Sequence, residues 1–181
     1  MNDMIAEKMY ELGSRKSTIR TIFEYGRQRA TVVGEDNIFD FSLGNPNVPA
    51  PAFIQQAIID ILQEEDPCAV HGYTVAPGLP GVRKTLAESI NQRFSTHFTE
   101  KNLFMTAGAA AAISVCFKAL SEPGDEFVTF APYFPEYQCF VESTGAKLVV
   151  VEAQPEDFQI HFASFEKCLN VHTKAVIVNS P

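Results

Sequence analysis

Residues 102–137 read NLFMTAGAAAAISVCFKALSEPGDEFVTFAPYFPEY. Leu103–Thr106 is a short apolar run with strand character, and Gly108 breaks it. Ala109–Leu120 then has the length and composition of a helix, closed by the turn Pro123-Gly124-Asp125. Phe127–Ala131 is a second strand, and Pro132-Tyr133-Phe134-Pro135 is a rigid aromatic loop at its far end. The alternation continues with a helix at Glu136–Thr144 ending at Gly145, a strand at Lys147–Val151, a short helix at Phe165–Leu169 and a strand at Ala175–Val178. Nearly continuous apolar strands separated by helices predict a parallel sheet covered on both faces.

Upstream the rhythm is different. Met4–Leu12 and Ser17–Ala30 read as helices, the second with Ile19, Ile22, Phe23 and Ala30 at helical spacing and Arg15, Arg20, Arg27 and Arg29 around that stripe. IFDFSLGNPNVP reads as a short strand ending in a loop, because Gly-Asn-Pro continues neither element. Pro51 opens a helix with Phe53, Ile54, Ala57, Ile58, Ile61 and Leu62 as its apolar stripe. After the turn-rich EEDPCAVHGYTVAPGLPG, a helix over Val82–Phe94 carries Val82, Leu86, Ala87, Ile90 and Phe94 on one side.

The chain has 181 residues, 46% of them hydrophobic and 15 of them Phe, which is enough for a buried core and argues against disorder. A net charge of −8 gives no footing for nucleic acid or an anionic membrane. There is no signal-peptide run and no stretch of membrane-spanning length, so a cytoplasmic location is expected. Cys68, Cys116, Cys139 and Cys168 are far apart and are expected to be reduced, mostly buried thiols. The histidines show no metal-binding spacing, so no metal is expected.

Two features suggest chemistry. The helix after Gly108 begins with Ala109, Ala110, Ala111 and Ala112. N–H groups at a helix start lack internal partners, the helix dipole is positive there, and tiny side chains let an anion approach. Close packing of an Ala-rich helix on a sheet explains the same residues. The Pro-Tyr-Phe-Pro loop lies on the same sheet edge in a parallel arrangement, where its ring could stack on a flat ligand or plug the core edge.

Five blocks in order, SLGNPNVPAP, HGYTVAPGLPGVRKTLAESI, TAGAAAAI, SEPGDEFVTFAPYFPEY and AVIVNSP, together resemble the fold-type I pyridoxal-phosphate enzymes, specifically the class I/II aminotransferases. The resemblance implies an α/β fold: part of the large pyridoxal-phosphate-transferase domain, a mostly parallel sheet between helices, over residues 46–181, preceded by an N-terminal helical arm over 1–45. It implies amino-group transfer between an amino acid and a 2-oxo acid with pyridoxal 5'-phosphate as cofactor. By the same resemblance Gly108, Ala109 and Ala110 match the phosphate cradle, and Phe134 the ring stacked on pyridoxal. Tyr73 matches the tyrosine that reaches the partner subunit's cofactor phosphate, Gly44 the glycine at the substrate carboxylate, and Tyr137 a neighbour of the pocket. Asn179 precedes, and is not, the family's O3'-binding asparagine.

The Schiff-base lysine, the aspartate under the pyridine nitrogen and the substrate-binding arginine would all follow Pro181. Lys84, Lys101, Lys118, Lys147, Lys167 and Lys174 match none of these roles and read as solvated. The stop on VIVNSP, at a strand end, reads as a truncation, and this chain alone is expected to be inactive. In the family's topology the strand at Leu103–Thr106 is separated from the other three by strands that come later in sequence. Its empty slot predicts self-association, as a homodimer or by another pairing. A carbon–sulfur β-lyase, a decarboxylase or a non-catalytic module of the same fold would share these blocks. The acidic charge and the lack of a DNA-binding head speak against a regulator.

Overall fold

The computed structural model describes residues 4–14, 17–44, 46 and 48–179. The chain divides into two compact units, one of residues 1–40 with 108–181 and one of residues 41–107.

The first unit contains α1 (Glu7–Ser14), α2 (Thr18–Val33), α6 (Ala109–Leu120), β1 (Glu126–Phe130), α7 (Glu136–Glu142), β2 (Lys147–Val151), α8 (Phe162–Cys168) and β3 (Thr173–Ile177). The three strands form a parallel sheet in the order β2-β1-β3. Val128 lies opposite Val149 on one side and Val176 on the other. Because side chains alternate along a strand, Phe127 and Phe130 point to opposite faces of β1. Phe127 meets Phe117 of α6 edge-on, with ring centroids 5.0 Å apart, in a core completed by Val141 and Ala146. Phe130 meets Phe165 of α8 at 5.3 Å. Helices therefore cover both faces, as the apolar strands predict.

Ser17 caps α2, its side chain accepting from the Arg20 N–H. The half-buried side of α2 is Ile19, Phe23 and Ala30, while Ile22 is exposed. The second unit contains α3 (Ala52–Glu64), α4 (Pro67–His71) and α5 (Pro80–Phe94). Asp66 caps α4 and Pro67 occupies its first turn, so a short helix stands in a stretch the sequence presents only as turns.

Three expectations need correction. Leu103–Thr106 forms no strand, and neither does the segment beginning at Ile38. A strand exists only as a member of a ladder, and none of the three sheet strands pairs with either segment. Instead the Met105 N–H donates to the Pro77 carbonyl at 2.9 Å. Nor are the cysteines mostly buried: Cys68 and Cys116 are exposed and Cys139 and Cys168 half-buried, all four free. Cys116 lies on α6 beside, not on, the face that carries Ile113 and Phe117.

Candidate active site at the carboxyl edge of the sheet

Phe117, near the end of α6, packs on Phe127, near the start of β1. The helix therefore runs antiparallel to the strand and brings its N-terminus toward the sheet's carboxyl edge. Gly108 caps that end at φ +87°, in the left-handed region that glycine enters freely, with nothing within 4 Å of where a Cβ would stand. The first intrahelical bond of α6 runs from the Ala112 N–H to the Gly108 carbonyl at 3.3 Å. The N–H groups ahead of it have no carbonyl partner inside the helix. Gly108, Ala109 and Ala110 are all exposed. The exposed Ala109 and Ala110, with small side chains at the positive end of a helix, could receive an anion.

The loop leaving β1 supplies the ring. Phe134 is 44% exposed, and one contact steadies it: Tyr137 meets it edge-to-face at 5.6 Å and 80°. The Tyr137 N–H also donates to the Phe134 carbonyl at 3.0 Å, which closes the first turn of α7. Tyr137 itself is 8% exposed, and its hydroxyl donates to Asn179 Oδ1 at 3.3 Å, just past β3. An exposed ring held in a set orientation fits a flat heteroaromatic ligand. Beside this loop, a cavity of about 420 Å³ is lined by Leu12, Ser17, Arg20, Glu136, Gln138 and Cys139 among others. Arg20, which the sequence presents as one of four arginines around a stripe, thus faces the start of α7.

The remaining two sequence-derived positions belong to the second unit. Tyr73 follows α4 and is fully exposed. Gly44 has nothing within 4 Å of a Cβ position; its motif neighbours Asn45 and Asn47 lie outside the described residues, as do Ser180 and Pro181 of the last block. Sequence reasoning missed Arg83. It is only 9% exposed, donates through Nε to the Gly78 carbonyl at 3.0 Å, and reaches the Glu100 carbonyl through a terminal nitrogen. Its signal was its place one turn before Ala87, the other buried residue of α5. No group of side chains among the described residues could hold a metal ion, and no described helix is long and apolar enough to cross a membrane.

Helices cover both faces of the parallel sheet, and the start of α6 and the Phe134 loop lie at its carboxyl edge. The chain belongs to the class I and II aminotransferases, whose family model matches residues 36–181. Among solved structures, an aminotransferase from Eubacterium rectale is 50% identical, with a TM-score of 0.91 over 98% of this chain and 45% of its own. Among curated proteins, a probable kynurenine–oxoglutarate transaminase from Saccharomyces cerevisiae is 31% identical over 70% of this chain and 31% of its own length. An aspartate aminotransferase from Thermotoga maritima is 28% identical over 86% of this chain and 40% of its own. The chain thus spans less than half the length of these relatives.

Proposed function

We propose that this chain carries the phosphate-cradling and ring-stacking part of an aminotransferase site that moves an amino group between an amino acid and a 2-oxo acid. The carrying observation is the pairing, at one sheet edge, of the open Gly108–Ala110 helix start with the half-exposed Phe134 ring. Pyridoxal 5'-phosphate, when bound, supplies the electron sink that labilises bonds at the amino acid's α-carbon. The residues of this chain bind and orient. The N–H groups of Ala109 and Ala110 would hold the phosphate dianion against the helix dipole. Phe134 would cover one face of the pyridine ring and exclude water from it. Tyr73, fully exposed, would reach the cofactor phosphate of a second subunit, and the open backbone at Gly44 would take the substrate carboxylate. In this reading residues 1–45 are an arm and residues 46–181 the start of the large domain, the protein works in the cytoplasm as a homodimer, and the Schiff-base lysine is not among these residues.

Two measurements test the proposal. Titrating the chain with pyridoxal phosphate should give saturable, reversible binding, with no covalent pyridoxyl adduct left after borohydride and dialysis because no Schiff base forms, and an amino acid with a 2-oxo acid should give no turnover above a protein-free blank. Ala110→Asp, which places a carboxylate where the phosphate docks, should weaken that binding about tenfold or more. Unchanged affinity in Ala110→Asp would remove the helix start from the site.

A further inference from the structure

Tyr137 is not accounted for by the cradle or by the stacked ring. It is almost fully buried, and its hydroxyl donates at 3.3 Å to the side chain of Asn179 in the segment that leaves β3. Its ring edge and its backbone N–H both engage Phe134. Phe134 sits in the loop after β1, and β1 and β3 are parallel neighbours, so the two loops leave the sheet side by side. Tyr137 is the piece that joins them. A buried hydroxyl needs a partner, and the partner present ties the aromatic wall to the exit of β3.

We propose that Tyr137 is a positioning residue. Its hydroxyl bond to Asn179 sets the angle of the Phe134 ring, so that the ring is presented as a fixed platform for the pyridine face. The inference deepens the reading above and rests on it for the identity of the flat ligand; the ring's immobilisation stands apart from any ligand. An unanchored loop would leave Phe134 free to rotate among staggered side-chain wells, and ordering it on binding would then cost affinity.

The chain contains no tryptophan, so Phe134→Trp provides a single indole at the platform itself, excited at the red edge where the tyrosines do not absorb. Its nanosecond anisotropy should show restricted motion. Adding Tyr137→Phe, which keeps the ring but removes the hydroxyl, should release a fast local component, and adding Asn179→Ala should release the same one. Unchanged anisotropy in both would overturn the proposal without any cofactor present. With pyridoxal phosphate, Tyr137→Phe and Asn179→Ala should each raise Kd about three- to tenfold, the range of one net hydrogen bond, and the double variant no further. In a Phe134→Ala background Tyr137→Phe should have no effect on Kd; a full effect there would show that Tyr137 acts by another route and overturn the proposal. Asn179→Asp keeps an acceptor and should restore the affinity that Asn179→Ala loses. Failure of the unsubstituted chain to bind the cofactor would instead remove the functional reading, leaving the anisotropy result to decide the positioning claim.

Discussion

At the scale of single residues, burial of a charged side chain is the feature that hydrophobic periodicity cannot reveal. The spacing of Val82, Leu86, Ala87, Ile90 and Phe94 predicts one apolar side for α5, but Val82, Leu86 and Phe94 are exposed and the buried pair is Arg83 and Ala87. Arg83 goes inside because its guanidinium fork meets two backbone carbonyls, that of Gly78 and that of Glu100, the second of which also accepts from the Leu103 N–H at 3.4 Å. Gly78 is itself constrained, with φ +96° and the Met105 side chain 2.5 Å from where a Cβ would stand. Arg83→Met preserves the aliphatic stem but removes the side-chain donors to both carbonyls, so urea denaturation should report a loss of about 2 kcal/mol. Arg83→Lys should recover only part of it, because one ammonium on a flexible stem does not reproduce the planar fork. A loss below about 0.5 kcal/mol for the Met variant would mean that water serves those carbonyls equally well. Gly108 and Phe134, by contrast, were legible as the residue that starts a helix and as a ring between prolines, both local features.

At the scale of elements, legibility followed whether an element's partners are near in sequence. The bounds of α6 and β2 coincide with those read from the sequence, since a helix closes its own hydrogen bonds and β2 joins β1 across a single intervening helix. Leu103–Thr106 has strand composition but no ladder, because composition supplies propensity and not a neighbour. The opposite edge of the sheet is held by a polar tie that no pattern marks. Glu126 at the start of β1 accepts from the Asn170 side-chain amide at 2.8 Å and pairs with Lys147 of β2 at 3.1 Å. The Asn170 amide first, and the Lys147 ammonium second, hold the Glu126 carboxyl below the usual carboxylate range. A depressed carboxyl pKa contributes stability that is fully present above the unfolded value, about 4.3, and is lost as pH falls through the lower folded value. Glu126→Gln should therefore cost about 1 kcal/mol or less at pH 7, given the exposure of Lys147. It should also flatten the acid limb of a thermal-stability profile below about pH 4.5. An acid limb identical to that of the unsubstituted chain would show that the tie is absent in solution.

At the scale of the whole molecule, the two units leave apolar surface that a parallel α/β fold ordinarily covers. In β3 the residues alternate between half-buried and exposed, with Lys174 and Val176 outward. In α3 no residue is buried, and Phe53, Ile54, Ile58, Ile61 and Leu62 are all exposed. An amphipathic helix draws most of its stability from packing its apolar side, and contiguous apolar patches of this kind mark surfaces made to be covered. The stripe was legible from its spacing; what it packs on was not, since a spacing pattern marks the apolar side of a helix and not its partner. The expected outcome is self-association. Sedimentation at micromolar concentration should show species larger than a monomer, little changed by salt because apolar burial rather than ion pairing drives them. Ile58→Glu with Leu62→Glu lies one turn apart on the same side of α3, so the pair should shift the distribution toward monomer while leaving the β1–β3 unit's thermal transition within about 2 °C. If the unsubstituted chain sediments as a stable monomer, the α3 stripe tolerates water. If the double variant leaves an oligomer intact, the contact lies elsewhere, and the open edges of the sheet become the surface to test next.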